Sequence, residues 1–301
     1  MHTSLKRFGT LSLSSLLAFS LLAGCGEQHT DSRVPHQSLR EQKVRANSVA
    51  GAWAGSTAAA AWNKGYYPMA DAVQIPESGW RSEEDKQAYK NHNFVLRGHL
   101  PGAAPAQGKV DWVTGDALTR PQWGAMKAYE SFATDRAVGS RLAVTGARLG
   151  RTTIETSRGK ATVPAWLFTL DGYSTPLVRV AVVPSELPKS PIGAVPQGAS
   201  GGLRSLAGLK QTAPDGRSLT VGATHGACDD GPVVNALETE ASVVLYASVK
   251  NPRNSPCTDV MAERNMTVEL RRPLGDRVVL DALTGRPVPF GMPNDPSPTW
   301  T

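Results

Sequence analysis

Apolar and polar positions alternate in short runs through most of this chain, and that rhythm predicts β structure. Residues 141–145, 152–156, 161–170 and 176–183 are rich in Val, Ile, Thr and aromatic side chains, with Gly at the breaks, the pattern of strands. Asp171-Gly172 falls between the last two runs and predicts a hairpin turn. Period two puts Trp166 and Phe168 on one face, and Val178, Val180 and Val182 on another. Pro164 has no N–H to give a sheet, so it predicts an edge or a bulge within its run.

The same rhythm returns later. Residues 218–223, 241–249, 266–271 and 277–281 read as strands, with Val243, Leu245, Ala247 and Val249 sharing a side. Shorter runs at 94–96 and 109–113 add two more. Three-residue spacing of Trp123, Met126, Tyr129 and Phe132 predicts a helix over 121–132 with Pro121 in its first turn. Ser82-Glu83-Glu84-Asp85 predicts a capped start to a short helix. The fold class expected is mainly β (α+β): antiparallel sheets, sandwich-like, with a few short helices. Gly (29) and Pro (22) are abundant, which favours turn-rich β structure over a helical bundle.

The amino end is different. Lys6 and Arg7 precede an apolar run over 8–23, which ends in Leu22-Ala23-Gly24-Cys25. The order of basic, apolar and small segments is that of an export signal, and the run is too short and too serine-rich for a membrane span. Leu22-Ala23-Gly24-Cys25 resembles the lipobox of bacterial lipoprotein signal peptides. That resemblance implies diacylglycerol on the Cys25 thiol, cleavage before it, and residence on the extracytoplasmic face of the cell membrane. The whole chain resembles exported lipoproteins of high-GC Gram-positive (actinobacterial) type, the specific likeness being confined to residues 1–25. Losing residues 1–24 removes two basic and no acidic side chains, so the charge falls from +6 to +4. Such an excess does not identify a nucleic-acid binder, and no nucleic-acid partner is expected.

The domain organisation expected is a signal peptide over 1–24 and a flexible tether over 25–50, which is polar and lacks a sustained apolar stripe. A β-rich domain with short helices follows over 51–188. Pro and Gly punctuate 189–210 as a linker or long loop. Residues 211–290 form a small β domain or complete the first one, and 291–301 form a loose tail.

Candidate chemistry is sparse. With Cys25 acylated outside the cytoplasm, Cys228 and Cys257 are the thiols left to pair, and a disulfide between them is expected. His225, Asp229 and Asp230 are the nearest thing to metal ligands, without the paired spacing of a zinc site or the ligand loop of an EF-hand; no metal and no cofactor are expected. Gly198-Ala199-Ser200-Gly201-Gly202 fits Gly-x-Ser-x-Gly, but Pro196 spoils the strand that should precede Ser200, and His225 follows too closely for the usual intervening acid. Glu238 and Glu240 lie on one strand face, as one half of a glycosidase site would. Trp53, Trp62, Tyr66 and Tyr67 either line a binding groove or close the core. These residues point to a membrane-anchored binding or accessory protein, with a cell-wall component or envelope protein as partner. An extracytoplasmic hydrolase with an unrecognised site and a purely structural envelope protein are the alternatives.

Overall fold

The computed structural model describes residues 34–103, 105–134, 139–193, 195, 200–251 and 260–291. The signal peptide, Cys25 and Cys257 lie outside these residues. The elements in chain order are α1 (Val34–Trp53), α2 (Thr57–Lys64), β1 (Val73–Gln74), α3 (Glu83–Lys90), β2 (Phe94–His99), β3 (Gln107–Trp112), β4 (Ala117–Pro121), α4 (Ala125–Glu130), β5 (Leu142–Thr156), β6 (Gly159–Leu170) and β7 (Leu177–Val180). After a long connection come β8 (Leu206–Thr212), β9 (Ser218–Gly226), β10 (Pro232–Glu238), β11 (Ser242–Val249), β12 (Met261–Glu269) and β13 (Val278–Asp281). The protein is mainly β, with antiparallel and mixed sheets.

The long β5–β6 hairpin is the spine of the first sheet. β5 pairs with β6 from Thr156↔Gly159 to Val144↔Leu170. The two expected strands at 141–145 and 152–156 are thus one strand. Gly146 does not break it but sits at a register shift after Val144. At Gly150 a Cβ would lie 2.4 Å from Leu167 Cδ1, so glycine there makes room for a cross-strand side chain. Pro164 falls where the outer edge of β6 passes from β3, paired at Ala161 and Thr162, to β7, paired from Ala165. Its missing N–H therefore interrupts no ladder, while its carbonyl accepts from Ala181 N.

β6 changes its buried face along its length. Ala161 and Val163 pack with Val110, Trp112, Ile154, Val180 and Val182 on one side. Trp166, Phe168 and Leu170 pack on the other, under α3 and α4, with Phe94, Phe132 and Leu177. Burying these aromatics contributes roughly 1.5–3 kcal/mol each. The predicted hairpin at Asp171-Gly172 joins β6 to β7, with Gly172 at φ +76°.

The second half is a sandwich backed by a helix. β11 pairs antiparallel with β10 and parallel with β13, and β9 lies between β8 and β12. Val243 and Leu245 face Leu219, Val221 and Leu209 of the other sheet. The alternate positions Val244 and Tyr246 face Ala46, Val49 and Trp53 of α1. Both faces of β11 are covered, which explains its nearly continuous apolar run.

Three expectations are corrected here. The tether expected over 25–50 is helical from Val34, because Gln42, Ala46, Val49 and Trp53 form a stripe that the sandwich buries. The linker expected over 189–210 ends early, since β8 begins at Leu206 and pairs with β9. The helix expected over 121–132 shrinks to α4. Gln122 N and Trp123 N are already bonded to Ala106 O and Ala181 O, so Pro121 ends β4 and Gly124 becomes the N-cap. Met126 is then exposed, and the buried face is Ala125, Ala128 and Phe132. The Ser82 cap stands, its Oγ accepting from Asp85 N at 3.1 Å.

Candidate functional site

The β5–β6 turn, Thr156-Ser157-Arg158-Gly159, is the most constrained feature of the first sheet. Gly159 takes φ +84°, which a Cβ would disfavour. Thr156 Oγ1 accepts from Trp112 Nε1 (2.9 Å) and Arg158 N (3.1 Å) and donates to Gly159 O (2.6 Å). Ser157 N donates to Tyr67 O, and Met69 N to Glu155 O, both at 2.9 Å. These bonds strap the tip to the chain leaving α2. The Arg158 guanidinium lies 4.0 Å from the centre of the Trp112 ring and 2.7 Å from Asp116 Oδ2.

Two clefts flank this tip where the first sheet meets the sandwich. One, about 650 Å³, is bounded by Met69, Glu155, Lys210 and Leu274. The other, about 690 Å³, is bounded by Trp53, Asn63, Thr114, Asp116, Arg158 and Glu240. Ser157, Asp276 and Arg277 line both. Sites between packed units are where ligands commonly bind. A third hollow of about 740 Å³, by Val73, Trp80, Tyr89 and Lys90, lies on the α3 side of the sheet and adjoins the first cleft through Ala70, Asp71 and Glu155.

The charges around the tip clefts are largely neutralised. Glu238 Oε2 accepts from Arg277 Nη1 at 2.9 Å with both side chains buried. Burial opposes ionisation of Glu238, but hydrogen bonds from Arg271 N and Arg277 outweigh it and hold the carboxyl below its usual range. Glu240 pairs with Arg272, and the hydrogen bond from that guanidinium likewise lowers it. Glu155 lies 3.7 Å from Lys160 and Glu263 lies 3.6 Å from Lys210. Asp276 makes no ion pair among the described residues and is exposed. Ser157 Oγ is shielded from solvent without a hydrogen-bond partner. The arrangement offers hydroxyl, amide and paired ionic groups to a ligand. It does not join a nucleophile to a base.

Of the sequence-predicted residues, Trp53, Trp62 and Glu240 border the clefts. Trp53, Trp62, Tyr66 and Tyr67 are at most 5% exposed, so the cluster is core, with only Trp53 and Trp62 also reaching a cleft wall. Trp62 stacks on Tyr67 at 4.3 Å. His225 is buried on β9 with Nδ1 2.8 Å from Gly226 O. The backbone carbonyl of Ser200 accepts from Leu203 N, and no hydrogen bond links Ser200 Oγ to a histidine or carboxylate among the described residues, so the Gly-x-Ser-x-Gly match builds no catalytic relay with His225. Asp229 turns back to accept from Gly226 N, and Asp230 accepts from Asn251 Nδ2. Among the described residues no group of three or more His, Cys, Asp or Glu side chains is placed to hold a metal ion. Glu238 and Glu240, half of a glycosidase site on sequence grounds, serve instead as partners of arginines.

The Ser157–Arg158 tip escaped the sequence reading, although Gly159 between two strand-like runs signals a turn there. Arg179 escaped it too. This guanidinium is 3% exposed, bonded to Ser131 Oγ and Val180 O at 2.9 Å, and 4.9 Å from the centre of the Trp123 ring. Burial pushes it down to about 10, and it has no carboxylate partner among the described residues. Comparison of the chain with protein-family models, curated proteins and solved structures finds no match. No helix among the described residues is long and apolar enough to cross a membrane.

Proposed function

We propose that this is a membrane-anchored binding or accessory protein of the cell envelope, held by lipid on Cys25 and taking an uncharged, hydroxyl- and amide-rich ligand between its two halves. The observation that carries the binding reading is the pair of clefts sharing Ser157, Asp276 and Arg277. Their walls combine apolar surface with ionic groups that, Asp276 apart, already have partners, which suits recognition better than bond cleavage. The anchor rests on the Leu22-Ala23-Gly24-Cys25 sequence. A wall glycan or a glycan-linked peptide has the matching chemistry.

The proposed disulfide fits the same location. Ala227 N donates to Val260 O at 2.9 Å where β9 meets β12. Cys228 is one residue from that bond and Cys257 three residues from Val260, a gap that chain of about 3.5 Å per residue spans.

Saturation-transfer NMR with soluble peptidoglycan fragments and with short uncharged peptides tests the ligand class. Binding that Arg158→Ala weakens supports it. Turnover of any of these compounds, or binding indifferent to the tip, contradicts it.

A further inference from the structure

Helix α1 carries an outward face that the fold leaves uncovered. Gln42, Ala46, Val49 and Trp53 turn inward to the sandwich. By the 100° helical step Arg40, Val44 and Asn47 lie opposite that stripe and Lys43 a quarter-turn from it, all exposed, while Leu39, 44% exposed, lies between Lys43 and the stripe. Val44 is 60% exposed, high for a branched apolar side chain on a packed helix. Arg40 and Lys43 make no ion pair among the described residues, whereas Arg45, on the inward side, is fixed to Ala282 O (3.0 Å) and Gly193 O (2.7 Å). The two outward cations are therefore uncommitted.

Position along the chain says what meets this face. Only eight residues separate Cys25 from Val34. Even fully extended they span at most about 28 Å, roughly the length of α1 itself at 1.5 Å per residue. A chain acylated at Cys25 thus holds the amino end of α1, the first element after the anchor, within that reach of the headgroups. We infer that α1 docks lengthwise on an anionic bilayer surface, with Arg40 and Lys43 at the phosphate level and Leu39 and Val44 against the interface. This rests on the proposed anchoring at Cys25 and adds an orientation to it: the protein lies on the membrane through α1 instead of swinging from a 25-residue leash. Each cation held at an anionic surface contributes about 1 kcal/mol, roughly five-fold in occupancy, and the attraction falls with salt.

The test uses the full mature, acylated chain on two vesicle types, phosphatidylcholine alone and phosphatidylcholine with 30% phosphatidylglycerol (~30%, chosen to approximate an anionic leaflet). A fluorophore on Val44→Cys reports contact with a headgroup quencher, and one on Val113→Cys, whose parent side chain is 77% exposed in the turn between β3 and β4, reports the background. Strong quenching at 44 but not at 113 on anionic vesicles is expected, relieved by high salt and reduced about 30-fold in docked-to-undocked ratio by Arg40→Gln with Lys43→Gln. Equal quenching at both positions, or quenching at 44 indifferent to lipid charge, overturns the docking. Flotation with neutral vesicles in high salt reads the anchor separately. Failure to float overturns the anchoring, and this inference with it; flotation without quenching at 44 overturns the docking alone.

Discussion

Arg277 donates through Nη1 to Glu238 Oε2 at 2.9 Å, and both side chains are less than 10% exposed. The same guanidinium gives Nε to Leu274 O and Nη2 to Arg272 O and Pro273 O. One cation thus closes the turn before β13 and ties it to the end of β10, at the wall shared by both clefts. Removing one partner strands a buried charge, which costs about 3–5 kcal/mol. Glu238→Gln and Arg277→Met are each expected to lower unfolding free energy by about that much in urea titrations. The double variant should recover a large part of the loss. Glu238 is held below its usual range in the fold, so its stabilisation is present above the unfolded value and is lost as pH falls through the folded one.

Asp281 titrates in the opposite sense. Burial pushes its carboxyl up to about 6, against hydrogen bonds from Leu283 N and Thr284 Oγ1 and the charge of Arg45. The folded state keeps this proton longer than the unfolded chain does. Stability should therefore fall as pH rises from about 4 to about 6, by about 3 kcal/mol at most, and stay flat above. Asp281→Asn keeps an acceptor for Leu283 N and removes the titration. Urea unfolding at pH 4 and pH 7 should show the variant gaining on the parent at the higher pH; an unchanged difference contradicts the assignment.

Tyr66 is fully buried and its hydroxyl has no hydrogen-bond partner. Burial raises its ionisation well above the ordinary phenol value, so the group stays neutral. A hydroxyl desolvated without a bond costs about 1–3 kcal/mol. Tyr66→Phe should be neutral to stabilising by about 1 kcal/mol in thermal unfolding, whereas most large core substitutions destabilise. A clear loss would mean the hydroxyl has a role that its surroundings do not reveal.

The proposed Cys228–Cys257 link closes a loop of about 29 residues, for which chain entropy gives about 3.5 kcal/mol. Cys228→Ser with Cys257→Ser should lower the urea midpoint accordingly, and the parent should match it in reducing agent. Parent and double variant behaving alike without reductant would contradict the link.

The sheets were legible because strand residues alternate: Trp166 and Phe168 are core, and Asp171-Gly172 turns as its sequence says. Helix α1 was hidden because its apolar stripe is small. Ala46 and Val49 carry little hydrophobic signal, and only the sandwich face formed by Val244 and Tyr246 gives them somewhere to go. The 121–132 periodicity misled because tertiary bonds to Gln122 N and Trp123 N compete with helix. The clefts were invisible for a related reason: Ser157 and Arg277 are 120 positions apart, and no local pattern marks their meeting.

The most direct test of the account is the mass of the mature amino-terminal peptide from membrane fractions. The mature chain is expected to begin at Cys25 and to carry a diacylglyceryl group, absent when Cys25 is replaced by Ala. An unmodified Cys25 within a longer peptide, or an unacylated chain recovered in the medium, would contradict it.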